Sequence, residues 1–192
     1  MKRHLITACL YTAITAVLLG IVYPLVIMGI SRLVFPAQAS GEFVRRNGVL
    51  IGSRLIGQPF TGPAYFHSRP SLAGSGYDAS ASSGSNLGPT SSALVQRIAQ
   101  AVSAEKTADP VPVDLVTASG SRLDPDISPA AAYYQVQRIS GSTGVPEEML
   151  RKLVAAHITQ RQFGLLGEPR VNVLELNLAL DSLSHKKSDA SH

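Results

Sequence analysis

Two histidines and one pair of close aspartates are the side chains best suited to acid–base chemistry. His67 stands in Tyr65-Phe66-His67-Ser68-Arg69-Pro70 and His157 in His157-Ile158-Thr159-Gln160-Arg161. Imidazole titrates near neutrality and is the usual general base. Nucleophilic catalysis also needs a hydroxyl or thiol and an orienting group at a recognisable spacing. Serine is abundant, but neither histidine has such a framework. His67 therefore reads as a surface or packed histidine, and His157, at helical spacing from Leu153 and Val154, as a helix-face residue. Asp124 and Asp126, with Pro125 between them and Pro129 after them, read as turn formers rather than a catalytic pair. No glycine precedes a lysine, which excludes the phosphate-binding G-x-x-x-x-G-K-[ST], and neither H-E-x-x-H nor G-x-S-x-G occurs. Cys9 is the only cysteine, so neither an internal disulfide nor a Cys-ligated zinc site is available.

The elements that would position these residues begin with Leu5–Ser31, 27 positions without a charged side chain. About 20 apolar residues cross a hydrocarbon core, so this stretch predicts one transmembrane helix, long enough to tilt. A cleaved signal peptide is the competing reading, supported by Lys2-Arg3 and the small-x-small pattern Ala37-Gln38-Ala39. Its apolar region, however, would be about 7–15 residues long. Pro24 lies inside the run, where local adjustment or a neighbouring helix must satisfy the freed backbone groups. Ala13, Ala16 and Gly20 would permit close helix approach. Lys2, Arg3 and the terminal amine favour a cytoplasmic N-terminus. Arg32, Arg45 and Arg46 weaken that bias, but long domains translocate largely regardless of charge.

The sequence thus divides into a cytoplasmic end (1–4), a span (5–31), one extracytoplasmic domain (32–184) and a polar tail expected to be disordered (185–192). Within 40–184, twelve Lys/Arg balance twelve Asp/Glu. The pI of 9.4 comes from the two ends. A neutral domain has no electrostatic footprint for nucleic acid.

The patterning predicts an α+β domain. Asn47-Gly48 between Glu42–Arg46 and Val49–Ile51 is a hairpin signal. Leu55-Ile56, Tyr65-Phe66 and Val113–Thr117 read as short strands, the last one buried. Ser and Gly supply 13 of the 25 residues in 68–92. That composition fits a flexible linker, while Tyr77, Leu87 and Asn86-Leu87-Gly88-Pro89 fit an ordered irregular loop. Thr90 or Ser91 is expected to cap a helix with Leu94, Val95, Ile98 and Val102 on one face, ended by Pro110 and Pro112. Ser128-Pro129 starts a second helix burying Ala132, Val136 and Ile139. A third follows Pro146 with Leu150, Leu153, Val154 and His157 on one face. Val173–Leu183 alternates like a strand, but its Leu, Ala, Glu and Asn content favours helix.

Several blocks resemble the C subunit family of Kdp potassium-transporting ATPases. They are Gly52-Ser53-Arg54-Leu55-Ile56-Gly57-Gln58-Pro59-Phe60, Tyr65–Ser71, Ser83–Pro89, Pro112–Gly120, Ile127–Ala131 and Val171–Asp181, and the similarity runs from Tyr23-Pro24 to Asp181. The resemblance implies an accessory role in ATP-driven, high-affinity potassium uptake across the bacterial inner membrane. The implied partners are a P-type ATPase subunit, a channel-like potassium-binding subunit and a small single-span subunit, within membrane lipid. The chain lacks the D-K-T-G phosphorylation motif and a T-V-G-Y-G-like filter, so the resemblance implies that it neither hydrolyses ATP nor conducts. Two accounts of such a subunit exist: assembly and stabilisation, or a catalytic chaperone that raises the pump's ATP affinity through a transient ternary complex. In the second account ATP is a transient ligand, with no tightly bound cofactor, and Gln160 is the nearest match to the implicated glutamine. An exported domain has no ready access to cytoplasmic ATP, which favours assembly. The readings from other classes are an anchored periplasmic hydrolase and a binding protein, anchored or cleaved after Ala39.

Overall fold

The computed structural model describes residues 1–105 and 109–189. They form an α+β architecture with two compact units, Met1–Ile51 and Gly52–His192.

The first unit is led by one helical run, Lys2–Val34, long and apolar enough to cross a membrane and without a buried residue. It comprises α1 (Lys2–Val17), a π-helical turn (Leu18–Val22) and α2 (Tyr23–Val34). The π-turn is the local adjustment expected around Pro24. Proline has no N–H to donate, and its ring collides with the carbonyl four residues back. Widening the preceding turn lets the Tyr23 N–H reach Leu18 O and moves the ladder past Gly20. After the short α3 (Pro36–Ala39), β1 (Phe43–Arg46) and β2 (Val49–Ser53) pair as the expected hairpin. Asn47 and Gly48 take φ of 52° and 79°, the left-handed pair that a type I′ turn needs.

The second unit is built on three helices and a small sheet. α6 (Pro129–Thr143), α7 (Glu147–Ala156) and α8 (Val173–Asp189) pack with the antiparallel sheet β3-β5-β4. Its strands are β3 (Asp126–Ile127), β4 (Ile158–Thr159) and β5 (Arg170–Asn172), with Ile127 and Ile158 flanking Val171. The start of α6 follows the sequence signals: Ser128 Oγ accepts the Ala131 N–H at 3.2 Å, with Pro129 in the first turn. Gly144, at φ 67°, ends the helix in the left-handed conformation. Ala132, Val136 and Ile139 of α6 are fully buried, as are Leu150 and Val154 of α7 and Leu176 of α8. α8 is the helix expected from its composition. Its backbone continues to Asp189, five residues into the expected disordered tail; residues 190–192 lie outside the described set.

Three expected strands are not strands. Val113–Val116 is the short helix α5, which still buries Leu115 and Val116; a short apolar run has no periodicity that separates helix from strand. Leu55-Ile56 lies in a turn, and Tyr65-Phe66 is irregular. The Phe66 and His67 backbones are instead hydrogen-bonded by side chains. Asn177 Oδ1 accepts the Phe66 N–H at 2.8 Å, and Asn177 Nδ2 donates to Phe66 O at 2.9 Å. Gln135 does the same for His67, accepting its N–H at 2.7 Å and donating to its carbonyl at 3.2 Å.

α4 (Ser92–Glu105) also departs from expectation. It forms where predicted but buries no residue, and Val95 and Val102 are exposed. The expected stop at Pro110 falls beyond residues 106–108, which lie outside the described set.

The Ser/Gly-rich segment is an ordered irregular loop. Ser68 and Ala73 are buried. Ser71 Oγ donates to Arg122 O at 2.5 Å and Tyr77 Oη to Arg69 O at 2.8 Å. Arg122 in turn donates to Leu72 O at 2.7 Å and Gly84 O at 2.8 Å. Gly57 admits close approach: its N–H donates to Leu123 O at 2.8 Å, and a Cβ there would meet Asp124 O at 2.6 Å.

Replacing Asn177 with leucine keeps the size and strands two buried backbone groups of Phe66. We expect a loss of about 3 kcal/mol, since each unsatisfied buried group costs about 1–3 kcal/mol. The urea midpoint of the detergent-solubilised chain, followed by tyrosine fluorescence, measures it.

Candidate functional site

A cleft of about 300 Å³ lies beside the irregular segment, lined among others by Phe60, His67, Tyr77, Glu105, Gln135 and Arg138. Four of its polar side chains, His67, Tyr77, Gln135 and Arg138, are held by structural bonds. His67 Nε2 lies 3.0 Å from Gly62 O. A carbonyl only accepts, so the ring is the Nε2–H tautomer and donates. Burial pushes the imidazole below its ordinary value, outweighing the Gly62 bond that favours the cation; nearby Arg138 lowers it further and Glu105 opposes. Arg138 donates to Pro63 O at 2.6 Å, Tyr65 O at 2.9 Å and Gln135 Oε1 at 2.8 Å. Gln135 Nε2 also donates to Ala131 O at 3.2 Å, so both atoms of that amide make two bonds. Tyr77 Oη is occupied by Arg69 O, and burial raises its phenol.

The second concave region, about 410 Å³, contains Asp124 and Asp126 together with Arg69, Asp114, Glu168 and Arg170. Asp124 Oδ1 accepts the Asp126 N–H at 3.0 Å, the side-chain turn expected of Asp-Pro-Asp. Arg69 Nη1 lies 3.5 Å from Asp124 and 4.0 Å from Asp114, while its Nη2 donates to Thr117 Oγ1 at 3.3 Å. Asp114 Oδ2 accepts the Ser128 N–H at 2.8 Å, tying α5 to the start of α6. Asp126 pairs with Arg170 Nε at 3.0 Å and accepts from Asn172 Nδ2 at 3.2 Å. Burial raises the Asp126 carboxyl, with the Asn172 hydrogen bond opposing. These carboxylates join loops to the sheet. Among the described residues, no group of three or more His, Cys, Asp or Glu is placed to hold a metal ion.

The remaining sequence candidates lie apart from both regions. His157 caps its own helix, with Nδ1 2.8 Å from Leu153 O. Gln160 is exposed, immediately after β4. Gln135 and Asn177 were not singled out from the sequence. The available signal was an amide on the apolar face of each helix, beside Ala131, Ala132 and Val136 in one case and among Leu174, Leu176 and Leu180 in the other. A buried amide must find partners.

The geometry defines a class: one helix able to cross a membrane, followed by an α+β domain whose interior polar side chains hold irregular backbone in place. The comparisons are more specific. The family model described as "K+-transporting ATPase, c chain" matches residues 5–182. The potassium-transporting ATPase KdpC subunit of Acidobacterium capsulatum is 60% identical over 182 residues, covering 94% of this chain and 99% of that one. The KdpC subunit of Koribacter versatilis is 58% identical over 184 residues (94% and 95% covered), and that of Gemmatimonas aurantiaca 56% over 189 residues (96% and 95%). The chain belongs to the KdpC family, subunits of potassium-transporting ATPases.

The His67 environment sets a pH dependence. Its imidazole titrates below 6.5 in the fold, so as pH falls through 6.5 the unfolded chain takes up the proton first. Its contribution to stability is whole above 6.5 and declines below it. Asp126 is shifted the opposite way, upward from 3.8. Its contribution is whole below 3.8 and is lost as pH rises through the raised value. The ratio of urea stabilities at about pH 5 and about pH 7.5 reads the histidine effect; His67→Gln is expected to flatten that part of the profile.

Proposed function

We propose that this chain is the non-catalytic assembly subunit of a potassium pump in the bacterial inner membrane. Its N-terminus faces the cytoplasm, its helix is retained as an anchor, and its α+β domain lies on the extracytoplasmic side. The partners are a P-type ATPase subunit that hydrolyses ATP, a channel-like subunit that binds potassium, and a small single-span subunit. The observation that carries this reading is the family match through both the apolar helix and the domain, so anchor and domain go together in the relatives. The structural commitments of His67, His157, Asp124 and Asp126 support a role in binding proteins rather than in turnover.

Native membranes from potassium-starved cells, extracted in mild detergent and captured through a C-terminal tag, supply the test. The ATPase and channel-like chains are expected in near-equal amounts with this one. A chain recovered alone, or free in the periplasm with its N-terminus at Ser40, would contradict the proposal.

The catalytic-chaperone role is the second reading, and the exposed amide of Gln160 makes it separable. Gln160→Ala removes no packed side chain, so assembly is expected to be unchanged. The assembly reading predicts less than about a twofold change in the complex's KM for ATP, whereas a nucleotide contact would raise KM with little effect on kcat.

A further inference from the structure

α4 lies on the domain without being built into it. None of its 14 residues is buried. One stripe, Leu94, Arg97, Ile98, Ala101 and Glu105, is half-buried, while Val95 and Val102 are turned to solvent. Among the described residues, no side-chain hydrogen bond or ion pair joins α4 to another element; Ser103 Oγ bonds within its own helix, to Ala99 O at 2.8 Å. α6, by contrast, is fixed by five buried side chains and by the bonds of Gln135 and Arg138.

Glu105 stands in the last turn of α4, where a carboxylate opposes the helix dipole and weakens its own helix. It lines two cavities at once: the cleft of about 300 Å³ beside His67, and one of about 320 Å³ lined also by Tyr134, Gln137 and Gly141 of α6. Gln135 and Arg138 line both. The Glu105 charge reaches His67 and Arg138 and favours the cation of each. Its position costs the helix and gains only across the cleft.

We propose that α4 is a lid that opens apart from the domain core, with Glu105 as its electrostatic latch, and that opening joins the two cavities into one groove along α6. Few buried contacts and no cross-links to the core are the marks of a unit that opens below the global transition. A helix of this length is marginal in water once its packing is lost, so its amides exchange whenever it lifts. The inference concerns this domain alone and does not depend on the pump assignment.

Amide exchange of the detergent-solubilised full chain, read by mass spectrometry, tests it. The amides from Gln96 to Glu105 are expected to exchange together, at least about a hundredfold faster than those of Val136 to Ser140, at a rate insensitive to urea below the unfolding transition. Exchange at the α6 rate with the α6 urea dependence overturns the lid. So does a gradient running inward from Glu105 with Gln96 to Ile98 protected like α6, which marks simple fraying. Glu105→Gln is expected to speed α4 exchange about two- to fivefold without moving the urea midpoint. A carboxylate with no partner across the cleft predicts the reverse, because the neutral amide relieves the dipole; slowed or unchanged exchange therefore overturns the latch.

Discussion

Phe66 and His67 run through the domain outside any strand, and two side-chain amides meet all four of their backbone polar groups. Asn177 reaches from α8 and Gln135 from α6. Each amide presents one acceptor atom and one donor atom, and only one orientation satisfies both backbone groups. Arg138 then fixes Gln135 from the opposite side and gathers the Pro63 and Tyr65 carbonyls. The irregular segment is thereby joined to two helices that are adjacent to each other neither in sequence nor as a hairpin. The Phe66 ring sits fully buried in the core that α6, α7 and α8 share with the sheet. Without the amides, that ring could be buried only by stranding its own peptide groups, each at a cost of about 1–3 kcal/mol.

The same logic extends outward through arginines. Arg69 links the segment to α5 and to the Asp124 turn, Arg170 links that turn to β5, and Arg122 holds the Ser/Gly-rich loop at Leu72 and Gly84. With no disulfide available and many residues outside helix or strand, side-chain donors replace the missing ladders. Residues whose types could do acid–base chemistry serve as connectors in the structure, as the reading of Asp124 and Asp126 as turn formers expects.

Local signals were readable where the cause is local. The apolar run, the Asn-Gly hairpin, the Ser128-Pro129 helix start and the buried stripe of α6 each depend on neighbours within a few residues. The failures share a different cause. Tyr65-Phe66 has the composition of a strand, but the side chains that bond its backbone, Arg138 and Asn177, lie 73 and 111 residues away. Val113–Val116 is too short for its period to show, and its N-terminal turn is anchored by Asp114 through Ser128. The Ser/Gly-rich loop was undecided because what orders it, Arg122, lies outside it. Gln135 and Asn177 were present as polar interruptions of apolar helix faces, yet a single sequence does not say what such an interruption bonds. Membership of the KdpC family was legible from ordered blocks along the chain, and the matches at 56–60% identity agree with it.

Amide hydrogen exchange at Phe66 and His67 in the detergent-solubilised chain tests the side-chain clamp most directly. If Asn177 and Gln135 hold those N–H groups as the structure describes, both exchange only when the whole domain opens, at the rate of the buried amides of α6. Exchange at the rate of an exposed loop, while α6 stays protected, would contradict the clamp and the account built on it.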